Sequence, residues 1–271
     1  MKLQTVVDIA PSKWKIGYED KILMVGSCFS DEIGELMKQR YLKVTCNPFG
    51  TLYNPLSIAQ AINSQLSTLN SQLVYHDGFW HSMAHHGSFS RADKSEAESA
   101  VRASIETMQQ ALQEATLVIV TFGTAWVYEK DGEVVGNCHK LPESCFSRRR
   151  LTVEEIVEAW KPILERYPDK HWLFTVSPIR HIKDGLHENQ LSKATLLQAV
   201  EQLGDYFPSY EIMSDELRDY RFYADDLVHP SSLAVSYIWE RFVDTFCTPQ
   251  TKNELMLQHK RWKHEHHIPL H

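Results

Sequence analysis

Three short apolar runs, "KILMVG" (21–26), "TLVIVTFG" (116–123) and "HWLFTVSP" (171–178), are separated by long stretches with helical periodicity. A short run that is apolar on both faces reads as a strand buried from both sides. The intervening stretches supply the cover. Between 92 and 114, Val101, Ile105, Met108 and Leu112 recur at spacings of four, three and four, one face of an α-helix. Residues 152–166 and 189–204 read as further helices, and Ala234, Ile238, Phe242 and Phe246 mark a last amphipathic one. Strands alternating with helices predict an α/β fold, a three-layer α/β/α sandwich around a central parallel sheet.

The connections are legible too. Behind "KILMVG", Ser30 is a plausible N-cap, with Asp31 and Glu32 in the first turn and Ile33, Leu36 and Met37 on one face. "YLKVTCNPFGTLYNPLSI" (41–58) reads as a short strand, a loop and a helix starting near Pro55. Asp77-Gly78 and the Asp-Gly pair within 126–137 predict hairpins. A short strand is expected near 210–213. Residues 1–250 read as one domain and 251–271 as a polar, His-rich tail containing His264, His266 and His267.

Composition narrows the function. The 271 residues carry a formal net charge of −7, which argues against generic nucleic-acid binding. No apolar run reaches the length of a membrane span, and the N-terminal residues lack the apolar core of a signal peptide. Five cysteines without CxxC spacing read as free thiols, so a cytoplasmic setting is expected.

In parallel sheets, ligands bind outside the carboxyl ends of the strands. "GSCFS" (26–30), "GTAWVY" (123–128) and "SPIRH" (177–181) all follow strands, and "DDLVHPSS" (225–232) leads into the last helix. The three-residue spacing of Asp226 and His229 lets a carboxylate reach back to an imidazole within one turn, fixing its tautomer. The alternative is a carboxylate capping the helix that follows. Ser27 and Cys28 are the candidate nucleophiles. A thiol at a helix N-terminus is favoured as thiolate, which Asp31 and Glu32 oppose. His81, His85 and His86 have suggestive spacing but read as hairpin and loop, so no metal site is expected there. The glycines follow neither a phosphate-loop nor a dinucleotide pattern, and no cofactor is expected.

"GSCFS" closely resembles the name-giving motif of the GSCFA family, with Ser30 in place of the final Ala. "NPFGTLYNPLSI" (47–58), "NCHKLP" (137–142), "TVSPIRH" (175–181) and "DELRDYRFYADDLVHPS" (215–231) resemble that family as well. The family is grouped by similarity with the SGNH, or GDSL-like, hydrolases. The resemblance implies a flavodoxin-like α/β/α fold and a hydrolase or acyltransferase working through a covalent acyl-enzyme on a small-molecule or carbohydrate ester. The alternative is a catalytically weak or inactive ligand-binding protein on the same fold. Laid on the Gly-Asp-Ser register, Cys28 takes the nucleophile position, with Ser27 the rival. Asp226 and His229 match the fifth block, and Gly50 matches the second, which supplies an oxyanion donor. In the third block Ala125 stands where SGNH enzymes have Asn, so Thr124, Asn54 or His139 would have to substitute. Trp126, His139, Arg180 and His181 are candidate substrate contacts. Arg180 would hold a carboxylate or phosphate, or else pair internally with an acid of "DELRDY". Trp126 would stack on a sugar or acyl group, or else pack in the core.

Overall fold

The apolar runs become the middle of one sheet. A computed structural model of the chain describes residues 4–66 and 73–266. From β1 (Lys21–Gly26) the chain enters α1 (Cys28–Lys38), returns as β2 (Lys43–Cys46) and continues into α2 (Pro55–Asn63). A hairpin, β3 (Leu73–His76) and β4 (Phe79–Ser82), precedes α3 (Lys94–Glu114) and β5 (Leu117–Phe122). A second insertion, β6 (Trp126–Lys130), β7 (Glu133–Val135) and β8 (Ser147–Arg150), leads to α4 (Val153–Arg166), β9 (His171–Val176) and α5 (Leu186–Val200). Then follow β10 (Asp205–Phe207), the short α6 (Ser209–Glu211), α7 (Ser232–Phe246) and α8 (Pro249–Glu265).

The main sheet runs β2-β1-β5-β9-β10, all parallel. Counting only its own strands, that is the doubly wound order 2-1-3-4-5, whose direction reverses between β1 and β5. Strand alternation builds a core on each face. Leu23, Val25, Val118, Val120, Phe122 and Phe174 face the helices α2 to α5. Ile22, Met24, Leu117, Ile119 and Leu173 face α1 and α7. The three-layer α/β/α sandwich expected from the alternation is therefore the fold.

Several local expectations are corrected. α1 begins at Cys28 with Ser27 as N-cap, not at Ser30, which is buried inside the helix and donates to Thr121 Oγ1 at 2.7 Å. The cause is Gly26, whose φ of +136° turns the chain at once. A side chain there would meet the Thr121 carbonyl oxygen at 2.1 Å, so only glycine fits. The strand near 210–213 is instead helical, and the edge strand lies just before it at Asp205–Phe207. The polar tail forms α8, which buries Thr251 and Leu255. His264 and His266 lie on its last turn and cap, and His267 lies outside the described residues. Both Asp-Gly pairs turn as expected, with positive φ at Asp77, Gly78, Asp131 and Gly132. Among the described residues, no helix is long and apolar enough to cross a membrane.

Candidate active site

The switch point between β1 and β5 is where a doubly wound sheet opens a crevice at its carboxyl edge. A cavity of about 560 Å³ lies there, with Cys28 after β1, Thr124 and Trp126 after β5, and Arg180 and His181 after β9 on its lining. His229 closes it from the loop before α7, and Tyr53 and Asn54 from the start of α2. Tyr128, Phe146 and Arg148, from the β6–β8 insertion and its connection, build the outer wall.

The 226–229 turn is wound around one carboxylate. Asp226 Oδ1 accepts the backbone N–H groups of Val228 and His229, each at 2.9 Å, and Oδ2 lies 2.6 Å from His229 Nδ1. Leu227 takes the left-handed conformation, φ +58°, that lets the chain fold back. The two backbone amides, with the imidazole's own bond, hold the Asp226 carboxyl down at about 2. An ionised carboxylate only accepts, so Nδ1 carries the proton. In the neutral ring Nε2 is then the basic nitrogen.

Cys28 is the first residue of α1 and half-buried. Burial and the neighbouring Glu32 push its thiol up to about 11, against the pull of the Cys28 and Phe29 amides. The sulfur is therefore a thiol at neutral pH, and the thiolate favoured by a helix end is not realised. Glu32 lies one turn on, at i+4. Its carboxyl is raised by burial and lowered by His229, and its Oε2 is buried without a partner. Ser27 Oγ is also buried and unpartnered, and Ser27 does not line the cavity.

The expected oxyanion donors divide. The Gly50 N–H closes a turn onto the Asn47 carbonyl at 2.7 Å, and a side chain there would strike His86 Cβ at 2.3 Å. Gly50 is thus required for the turn, and its amide is not free for a substrate. The Gly123 and Thr124 amides both donate to the Tyr53 carbonyl, at 2.8 and 3.0 Å. Thr124 Oγ1 accepts the Trp126 N–H, and Ala125 is fully buried, its N–H on Ser192 Oγ. An Asn at 125 would point into the core. Asn54 lines the cavity while capping α2, Oδ1 on the Ser57 amide and Nδ2 on Ser57 Oγ.

Of the expected substrate contacts, Trp126, Arg180 and His181 line the cavity and His139 does not. His139 is buried elsewhere, with Nε2 2.8 Å from the Ser82 carbonyl oxygen and its ring stacked on His81. The other loop histidines are equally structural: His85 is held between Ser82 Oγ and Ser104 Oγ, and His81 between Ser90 Oγ and the His76 carbonyl. Among the described residues, no group of three or more His, Cys, Asp or Glu is arranged to hold a metal ion. The internal ion pair anticipated for Arg180 does not form, because Asp219 pairs with Arg221 and Glu216 with Arg241. Arg180 stacks instead on Tyr223 and Tyr220, 4.8 and 5.6 Å from the ring centroids. Burial and the nearby Lys193 push His181 down to about 4, so its ring is neutral.

Lys193 stands out in the structure though not in the sequence. It is buried on α5, and Nζ donates to the carbonyls of Gly123 and Ser177, at 2.8 and 2.7 Å, joining the ends of β5 and β9. Its signal was a lysine within the buried stripe Asn189, Ser192, Lys193, Leu196 and Val200. Arg148 was missed as well. It makes a two-point pair with Asp184 and lies 4.6 Å over the Trp126 ring.

A doubly wound α/β protein with a thiol and an Asp–His pair at its switch point is the class that fold and site define. The family model for GSCFA proteins matches residues 21–242, and the chain belongs to the GSCFA family. No curated protein matches the chain.

Proposed function

We propose that the chain is an SGNH-like ester hydrolase or acyltransferase, with Cys28 as nucleophile, His229 as base and Asp226 as the group that orients it. One observation carries this reading: Cys28 and the Asp226-held His229 line the same cavity at the switch point. The thiol proton passes to His229 Nε2 as sulfur bonds the acyl carbon. The bond to the leaving alcohol then breaks, and the alkoxide takes that proton. Water or a second hydroxyl attacks the resulting thioester, with His229 again the base, and the Cys28 thiol returns as the leaving group. The amides at the start of α1 and the second N–H of Asn54 Nδ2, whose first goes to Ser57 Oγ, are the donors available to a developing oxyanion. A small-molecule or carbohydrate ester suits the aromatic walls, and the five unpaired thiols support a reducing, cytoplasmic setting.

Ser27 is the weaker nucleophile, since its Oγ is shut off from solvent. A second reading, ligand binding without turnover, is favoured by the raised Cys28 thiol and by the commitment of the Gly123 and Thr124 amides to Tyr53. One lost oxyanion donor raises a barrier by about 3 kcal/mol.

Intact-mass measurement after exposure to activated esters and thioesters tests this. The expected result is a gain of one acyl group mapping to Cys28 and absent from Cys28→Ala. Asp226→Asn should lower turnover by roughly 10²–10⁴-fold while the fold survives, because the amide keeps an oxygen for the two backbone donors but presents N–H to Nδ1. A gain that persists in Cys28→Ala and maps to Ser27 would transfer the role to Ser27. No gain with any ester would leave the binding reading.

A further inference from the structure

The charged lining of the cavity is unbalanced. Its charged lining consists of Arg148, Arg180 and Lys183 against Glu143 and Asp184, three positive groups against two negative, in a chain whose net charge is −7. Two of the cations are paired, Arg148 with Asp184 and Lys183 with Glu143 at 3.9 Å. Among the described residues, Arg180 has no carboxylate partner and its guanidinium makes no hydrogen bond. Its Nε is buried and unpartnered, and so is the indole Nε1 of Trp126 on the same cavity.

Arg180 is also held in place. Its backbone N–H donates to the carbonyl of Val228, the residue before His229, at 3.2 Å, and the guanidinium is stacked on two tyrosine rings. A fixed planar fork of donors matches a planar anion, and orientation by stacking reduces the entropy lost on binding. A buried donor left unpaired is destabilising, so an acceptor is the component that would complete this wall.

We propose that the cavity binds a carboxylate of its substrate on the Arg180 guanidinium beside His229, which makes the substrate an acidic ester. One unpaired cation matches one negative charge, which favours a carboxylate over a doubly charged phosphate monoester. The proposal rests on the cavity being the substrate site and does not require that turnover follow.

The probes are benzoate, its neutral isostere benzamide and inorganic phosphate, titrated into the full-length chain and followed by the indole N–H resonance of Trp126, assigned with Trp126→Phe. Benzoate should shift that resonance saturably, and benzamide should bind at least tenfold more weakly. Arg180→Gln should weaken benzoate at least tenfold. Arg180→Lys, which keeps the charge without the fork, should weaken it as well, with thermal unfolding confirming that each variant folds. Equal binding of benzoate and benzamide, or undiminished binding by folded Arg180 variants, overturns the proposal. Tighter binding of phosphate than of benzoate overturns the carboxylate assignment. If neutral esters acylate Cys28 while benzoate fails to bind, only this proposal falls. If benzoate binds through Arg180 and no ester ever labels Cys28, the anion site stands and the catalytic reading falls.

Discussion

Two opposing influences meet at the sulfur of Cys28. The first amides of α1 favour a thiolate, whereas burial, Glu32 and Asp31 disfavour it and prevail, leaving the thiol near 11. At pH 7.5 that corresponds to a thiolate fraction on the order of 10⁻³ to 10⁻⁴. In the reaction proposed above, such a sulfur would attack only as its proton leaves, with His229 as a serine-type base and not as the partner of a preformed ion pair. Brief iodoacetamide treatment at pH 7.5 should therefore label the exposed Cys145 well before Cys28. Labelling of Cys28 should climb as pH rises toward 11, and Glu32→Gln should accelerate it at fixed pH by removing the carboxylate that most disfavours the thiolate. Peptide mapping reads each rate, and preferential labelling of Cys28 at pH 7.5 would contradict this. The helix-end position of Cys28 and the acids at 31 and 32 were plain in the sequence. The depth of the sulfur was not, because Cys28 packs against a core gathered from segments distant in the chain, Phe207, Ile238 and Phe242 among them.

At the scale of elements, α5 does more than cover the sheet. Lys193 ties the carbonyl ends of β5 and β9 together from within the helix's buried face. Burial pushes its ammonium down to about 7, with the nearby Cys28 opposing. The unfolded lysine binds its proton more tightly, so the folded state is penalised below about pH 7 and relieved as pH rises toward 10.5, the ordinary lysine value. Lys193→Met removes this titration while leaving two carbonyls unpaired. The wild-type chain should gain urea resistance between pH 7 and 9 relative to the variant, whose midpoint should follow only the remaining groups. Parallel midpoints across that range would mean that Lys193 titrates outside it. Long elements with a strong period, α3 and α7 above all, were legible because their buried stripe is continuous. β8, a run of "SRRR", was not, because it is held by pairing with β6 and carries no apolar pattern of its own.

For the whole molecule, the two faces of the sheet differ in how they are closed. The face covered by α2 to α5 is closed by those helices with loop and insertion residues such as Phe49, Leu52, Val127 and Leu151, whereas the other is completed by the chain's outer segments. Trp14 stacks between His171 and Phe246 and donates to Asp205 at 2.7 Å, and the Ile16 N–H donates to the Phe246 carbonyl at 2.7 Å. α8 then adds Leu255 to the same core, with His259 3.0 Å from Arg40 and Glu265 bonded to Tyr41 on the α1–β2 connection. Its polar composition concealed this: only Thr251 and Leu255 are buried along seventeen residues, so the sequence showed no stripe. The family match ends at residue 242, and among the described residues none beyond His229 lines the cavity. α8 is therefore a brace and not part of the site. Ending the chain at Cys247 should cost about 2 kcal/mol, the scale of one fully buried leucine. That corresponds to a melting point lower by roughly 4–8 °C for a domain of this size. Acylation of Cys28, scored by intact mass, should persist in the shortened chain. If the shortened chain instead fails to melt cooperatively, the second core cannot close without α8, and the brace assignment does not hold.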